Sequence, residues 1–255
     1  MTALLDIANL SVRFGGIKAL DDVSFQIAEG QICGLIGPNG AGKTTLFNCL
    51  SRFYEAQSGE IKFDGQDLRR IPAHQIVRHG IARTFQNLAL FKTLTVVDNV
   101  KINDDRWTKT GFFAHAVRIA TVGREEDKLE YDARRLIEEV GLTEYADSPV
   151  SELNFASQKK VELARALHSQ PRLLLLDEPA GGLNHEEVSA LGSLIRSLQS
   201  KFGIAVLIIE HHLNFVMNTS HKVVALNFGR KIAEGTAEEV QRNEEVIKAY
   251  LGTAV

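Results

Sequence analysis

The chain has 255 residues, 44% of them hydrophobic, and a formal net charge of −3. That length can bury a substantial core, and the slightly acidic balance argues against a nucleic-acid-binding surface. Two cysteines, Cys33 and Cys49, lie inside apolar segments, which excludes a disulfide framework or a zinc-finger spacing.

The N-terminus carries no basic-then-apolar leader, and no apolar run approaches the length of a bilayer span. A cytoplasmic protein is therefore expected, one that reaches any membrane through a partner. Leu4 to Phe14 predicts a strand closed by the turn Gly15-Gly16. Val23 to Ile27 alternates apolar and polar residues, as a half-exposed antiparallel strand does. After a turn at Glu29-Gly30, the unbroken apolar run Ile32 to Ile36 predicts a buried strand. It runs into Gly37-Pro38-Asn39-Gly40-Ala41-Gly42-Lys43-Thr44, and Thr45 onward predicts a helix.

The spacing G-x-x-x-x-G-K-T is that of a phosphate-binding loop. Its glycines let the backbone fold back so that several N–H groups point at one anion. The helix that follows adds its N-terminal partial positive charge. Lys43 can reach the β- and γ-phosphates of a nucleotide, and the Thr44 hydroxyl can ligate Mg²⁺.

Gly59 to Phe63 predicts another strand, closed by the hairpin signal Asp64-Gly65. An antiparallel sheet should thus bracket the start of the nucleotide unit. Pro72 opens a predicted short helix, and Ile81 to Phe85 a strand that delivers Gln86 at its end. From Asn87 to about Leu167 the pattern is mostly helical. Val96, Val97 and Val100 share one helical face, and Leu129, Ala133, Leu136, Ile137 and Val140 share another that stops at Gly141. Between them, Phe112, Phe113, Ala116, Val117 and Ala120 form a stripe that either packs as core or docks a partner. Leu173 to Leu176 predicts a strand buried on both faces and ending in Asp177-Glu178-Pro179. A helix is expected over Glu186 to Phe202 and buried strands over Ile204 to Ile209 and Val223 to Leu226. Thr236 caps a short helix, and a last helix runs from about Asn243 to Leu251.

In an open α/β sheet, ligands sit at the carboxyl ends of the strands. The phosphate loop, Gln86, Asp177-Glu178 and His211 each follow a predicted strand, so the fold should gather them around one γ-phosphate. Asp177 is placed to hold Mg²⁺ through water, and Glu178 to polarise an attacking water. Gln86 can contact the metal or the water, and His211 the γ-phosphate. His74, His79, His115, His168, His185, His212 and His221 follow no metal-ligand spacing.

In this order, the residues resemble the ATP-binding-cassette (ABC) ATPases over essentially the whole chain. Gly37 to Thr45 matches their Walker A motif, Arg83 to Asn87 their Q-loop around Gln86, and Leu173 to Glu178 their Walker B motif with the catalytic glutamate. Ala180 to Asn184 is similar to the D-loop, and His211 to the switch histidine. Phe14 falls where the family stacks an aromatic on adenine, although a core strand aromatic is the competing explanation. The opening Val12 to Leu20, the Arg83 to Phe91 stretch, the long segment after Val100 and the ending Val246 to Gly252 look most like the ATPase subunits of branched-chain amino-acid importers.

The resemblance implies an α/β P-loop NTPase core with a parallel sheet, an antiparallel β subdomain and an inserted helical subdomain. Residues 1–86 and 168–255 would form the nucleotide lobe, and residues 87–167 the helical lobe. The implied activity is ATP hydrolysis with Mg²⁺, energising transport through separate membrane permease subunits at the cytoplasmic face of the membrane. A second ATPase subunit, the same or a similar chain, would complete the site, and an external solute-binding protein would act indirectly. Leu88, Leu90 and Phe91 are candidates for the permease contact. A lipopolysaccharide-export cassette and a soluble non-transport cassette are the alternatives.

One stretch departs from the family. The signature Leu-Ser-Gly-Gly-Gln reads Leu153-Asn154-Phe155-Ala156-Ser157 here. In the family this turn presents a backbone N–H and a helix N-terminus to the ATP held by the opposite subunit. Asn154 and Ala156 would take that place. Alanine adds a methyl group and resists the positive φ that glycine allows, which implies slower closure of the ATP sandwich; a variant tolerated within a branch of the family is the competing and stronger explanation. The basic pairs Lys159-Lys160 and Arg69-Arg70 are expected on solvated surface.

Overall fold

The structure, a computed structural model, describes residues 3–84, 88–102 and 120–251. It divides into two compact units, residues 1–86 with 172–255, and residues 87–171.

In the first unit the alternating N-terminal segments pair as a long antiparallel hairpin, β1 (Ala3–Phe14) and β2 (Ile17–Ala28). β1 also pairs with β4 (Ser58–Phe63), which continues into β5 (Gln66–Asp67), giving a sheet of order β2-β1-β4-β5. Asp64 and Gly65 turn that last hairpin at φ 49° and 74°, the two positive values that a tight two-residue turn requires. The all-apolar segments form the second sheet: β3 (Ile32–Ile36), β6 (Ile81–Arg83), β7 (Leu173–Asp177), β8 (Ala205–Ile209), β9 (Lys222–Asn227) and β10 (Arg230–Gly235). Its order is β10-β9-β3-β8-β7-β6, parallel except for β10 at one edge.

Side chains on successive strand residues point to opposite faces. Cys33, Leu35, Leu173, Leu175, Leu207 and Ile209 therefore face one way, and they join Leu5, Ile7, Phe25, Leu46 and Phe47 in one buried core. Burying a leucine or phenylalanine of this kind stabilises the fold by about 1.5–3 kcal/mol. That core fixes the antiparallel sheet and helix α1 (Lys43–Leu50) against one face of the parallel sheet.

In the second unit, α2 (Val96–Lys101), α3 (Ala120–Glu139) and α4 (Phe155–His168) pack on one another. The predicted faces Val96, Val97, Val100 and Leu129, Ala133, Leu136, Ile137, Val140 are buried there. The stripe Phe112 to Val117 lies outside the described residues, as does the side chain of Ala120. The first unit ends with α5 (His185–Phe202), α6 (Leu213–Thr219), α7 (Ala237–Gln241) and α8 (Glu244–Leu251). Thr236 caps α7, as its side chain and Glu239 exchange hydrogen bonds in a capping box.

The short helix expected at Pro72 takes the form of two 3₁₀ turns, Ala73–Gln75 and Val77–His79, with Pro72 as N-cap and Gly80 at φ 89° ending the segment. One expectation fails locally. Lys159 is not solvated: it is 6% exposed, with its stem packed inward and its ammonium 5.6 Å from the Phe155 ring. No described helix is long and apolar enough to cross a membrane.

Candidate nucleotide site

The loop between β3 and α1 can exist only with glycine at its two bends. At Gly37 (φ 152°) a Cβ would stand 2.3 Å from the Leu226 carbonyl oxygen, and at Gly42 (φ 102°) 2.5 Å from that of Ala19. The bends bring the loop back over the start of α1. Asn154, Asn184 and Thr236 close the first turns of α4, α5 and α7 with side-chain bonds, but Gly42 offers α1 none. The opening N–H groups of a helix have no intrahelical acceptor, so this end suits an anion.

Lys43 is 8% exposed, and its Nζ donates to the carbonyls of Gly37 (2.6 Å) and Pro38 (3.0 Å). Burial lowers the pKa of its ammonium, and the neighbouring carboxylates of Glu178 and Asp177 oppose that shift. Thr44 and Asn39 are exposed at the mouth of the loop, Thr45 and Pro38 are half-buried, and Ala41 is buried with its N–H on the Pro38 carbonyl. Gly40 lies open, with nothing near its missing side chain.

Three parallel strands bring the other groups to the same end of the sheet. In the register of β7 and β8, Asp177 stands opposite Ile209, and the Glu178 N–H continues the pairing onto the Ile209 carbonyl (2.9 Å). Glu178 itself sits at φ 49°, a left-handed conformation that a non-glycine residue seldom takes. Its Oε2 lies 3.9 Å from Nδ1 of His211, which follows β8 and is about half exposed. From β6, Arg83 reaches the Asp177 carboxylate at 2.7 Å. The residues fit a hard divalent cation beside phosphate: the Thr44 hydroxyl and the Asp177 carboxylate are oxygen ligands for the metal, and the Lys43 ammonium suits the phosphate.

The structure thus brings Lys43, Asp177, Glu178 and His211 together, whereas Gln86 lies outside the described residues. Phe14 is 47% exposed at the end of β1, with its ring 5.0 Å from that of Tyr54, so it is not a core aromatic. In the second unit, Asn154 is the N-cap of α4 and its Oδ1 accepts the Ser157 N–H at 2.8 Å. Ala156 lies in the first turn of that helix, not at positive φ. The backbone objection to alanine therefore falls, and only the bulk of its methyl group remains.

Sequence reading missed three residues around this site. Arg83 also donates to Asn48 Oδ1 (2.9 Å) and Ser51 Oγ (3.2 Å) and lies over the Phe47 ring. Tyr250, from the last helix, accepts the Gly37 N–H on its hydroxyl at 2.8 Å. Glu210, fully buried, accepts backbone N–H groups after both β7 and β8. The only available signal was their place beside a motif. Among the described residues, Glu210, His211 and His212 come within metal-ligand distance of one another, but both Glu210 oxygens are occupied by those N–H groups.

Comparison with known proteins supplies the remaining observations. Residues 20–181 match the family described as "ABC transporter", and residues 230–255 that described as "Branched-chain amino acid ATP-binding cassette transporter". The chain is 43% identical to the "High-affinity branched-chain amino acid transport ATP-binding protein BraF" of Pseudomonas aeruginosa, covering 98% of both chains. It is 39% identical to the LivG protein of the same description from Escherichia coli, again covering 98% of both. Among solved structures, it superposes on the ADP conformation of an ATP-binding cassette of an ABC transporter with a TM-score of 0.85 and 28% identity, covering 99% of this chain and 100% of that one.

Proposed function

Because this chain belongs to the ABC transporter family, we propose that it is the ATP-binding and ATP-hydrolysing subunit of an importer of branched-chain amino acids. The gathering of Lys43, Asp177, Glu178 and His211 at the carboxyl ends of adjacent parallel strands is the observation that carries the reading. The first N–H groups of α1 and the Lys43 ammonium, released from the carbonyls of its own loop, bind the β- and γ-phosphates. Phe14, exposed at its strand end, stacks on the adenine. Thr44 and Asp177, with Gln86, would hold Mg²⁺, which when bound neutralises charge on the phosphate oxygens. Glu178 orients the attacking water and takes its proton, and His211 hydrogen-bonds the γ-phosphate.

A second ATPase chain completes the site by presenting its own Asn154 and Ala156 at the start of α4. Leu88, Leu90 and Phe91 form the contact with the permease subunits. Phe91 is 52% exposed, and its backbone is held by the buried Asn99, which both accepts from its N–H (2.8 Å) and donates to its carbonyl (2.9 Å). An apolar side chain on a fixed backbone suits such a docking role. The assembly works at the cytoplasmic face of the membrane and receives its solute from an external binding protein.

The test is reconstitution with the permease subunits in liposomes, with binding protein added outside. ATP consumption should rise with leucine, isoleucine or valine, and the labelled solute should accumulate inside. Hydrolysis that responds to none of these solutes would refute the assigned substrate class, and no hydrolysis at all would refute the enzyme reading.

A further inference from the structure

Resting on that reading, we propose that Glu210 is a positioning residue: its buried carboxylate clamps the turn that carries Glu178 to the turn that carries His211. The clamp is visible in the bonds of its two oxygens. Oε1 accepts the Ala180 N–H at 2.7 Å, and Oε2 accepts the N–H groups of His211 (3.0 Å) and His212 (3.3 Å). Glu210 is 0% exposed. A carboxylate removed from water in this way is tolerated only where it is paired or hydrogen-bonded, and here backbone donors from both turns do so.

The strain at Glu178 explains why the clamp matters. A non-glycine backbone held at φ 49° stays there only if its surroundings over-determine it. Glu178 has its own N–H on the Ile209 carbonyl and receives the Gly181 N–H on its carbonyl at 3.1 Å. The Ala180 N–H on Glu210 is a third tie on the same turn; like the Glu178 N–H on Ile209 it joins the turn to the end of β8, and it alone does so through a side chain. The other Glu210 oxygen holds the backbone at His211, whose Nδ1 faces Glu178 across 3.9 Å. One side chain therefore adds to the β7–β8 pairing a direct link between the turn of the general base and that of the histidine. Glutamine cannot do the same, because its amide has one acceptor oxygen and turns an N–H₂ group toward other donors.

The phosphate loop makes none of its described hydrogen bonds to Glu210. Clamping should therefore control the chemical step and leave nucleotide affinity alone. The experiment is steady-state ATPase kinetics on the complete transporter carrying Glu210→Gln or Glu210→Asp, with Glu178→Gln and wild type alongside. We expect Glu210→Gln to lower kcat about 10- to 100-fold, the scale of misplacing a reacting group by an ångström, with KM for ATP close to wild type and the melting temperature lowered only by what the unsatisfied buried donors cost. Glu210→Asp keeps the charge on a shorter arm and should recover part of the rate. If Glu210→Gln does not fold, Glu210→Asp alone should show the same split at smaller size. Wild-type kcat in Glu210→Gln overturns the proposal, and so does a joint loss of affinity, rate and thermal stability. A wild-type complex without ATPase activity refutes instead the enzyme reading on which the clamp rests.

Discussion

Replacing Arg83 by methionine should destabilise the first unit strongly, and the size can be worked out from its contacts. The Arg83–Asp177 pair is 2.7 Å long, with side chains only 11% and 9% exposed. Breaking a buried ion pair from one side typically costs about 3–5 kcal/mol, because the remaining charge is left in low dielectric. The Lys43 ammonium, close enough to Asp177 to interact with its charge, reduces that cost. The bonds to Asn48 and Ser51 are also lost, while methionine keeps much of the packing on Phe47. The net expectation is about 3 kcal/mol, and at about 2–4 °C per kcal/mol for a protein of this size the melting temperature falls by about 6–12 °C. Thermal unfolding by circular dichroism measures it. The double variant Arg83→Met with Asp177→Asn removes both charges and should recover at least half of the loss. Losses in the double variant equal to the sum of the two single variants would refute the argument, as would an unchanged melting temperature in Arg83→Met.

Other expectations follow from single contacts. Tyr250→Phe removes the acceptor for the Gly37 N–H, a bond worth about 1 kcal/mol. Calorimetric titration should therefore show ATP binding weakened several-fold with kcat unchanged, and an unaltered affinity would show that this bond does not shape the loop. Burial pushes the Cys33 and Cys49 thiols up to about 12 and about 11. Iodoacetamide near neutral pH should then label neither until the chain is unfolded. The same shifts have a sign: unfolded thiols ionise first, so stability present below pH 9.0 is lost as pH rises toward about 12, which denaturant titrations at increasing pH would detect. Ala156→Gly with Ser157→Gln should raise hydrolysis in the assembled transporter, because removing the methyl lets the start of α4 approach the phosphate. An equal rate would show that this position is neutral.

Local physics made much of the fold readable. Ile32 to Ile36 and Leu173 to Leu176 are apolar at every position, which only a strand covered on both faces requires, and both lie in the parallel sheet. Asp64-Gly65 and Thr236 announce a turn and a cap through their own backbone preferences. The phosphate loop is legible because the positive φ of Gly37, Gly40 and Gly42 is a local demand, although the carbonyls that Gly37 and Gly42 make room for, on Leu226 and Ala19, lie far along the chain. What stayed hidden depends on residues far apart in the chain. Arg83 and Asp177 are 94 positions apart, and Tyr250 and Gly37 are 213 apart, so no periodicity joins them. Lys159 misled because a lysine can bury its stem in a helix face that also carries the buried Glu162 and Leu163. Ala156 misled because a motif known for glycines suggested positive φ, whereas Asn154 caps a regular helical turn there.

The account rests on Glu178 acting at a phosphate shared between two chains. Light scattering of the Glu178→Gln protein with Mg²⁺ and ATP tests this most directly. With the water-activating carboxylate gone and the phosphate contacts intact, ATP should persist and hold two copies together, so the mass should double and return to that of the single chain when ATP is exchanged for ADP. A Glu178→Gln protein that binds ATP yet keeps the mass of one chain, or that hydrolyses ATP at the wild-type rate, would contradict the account.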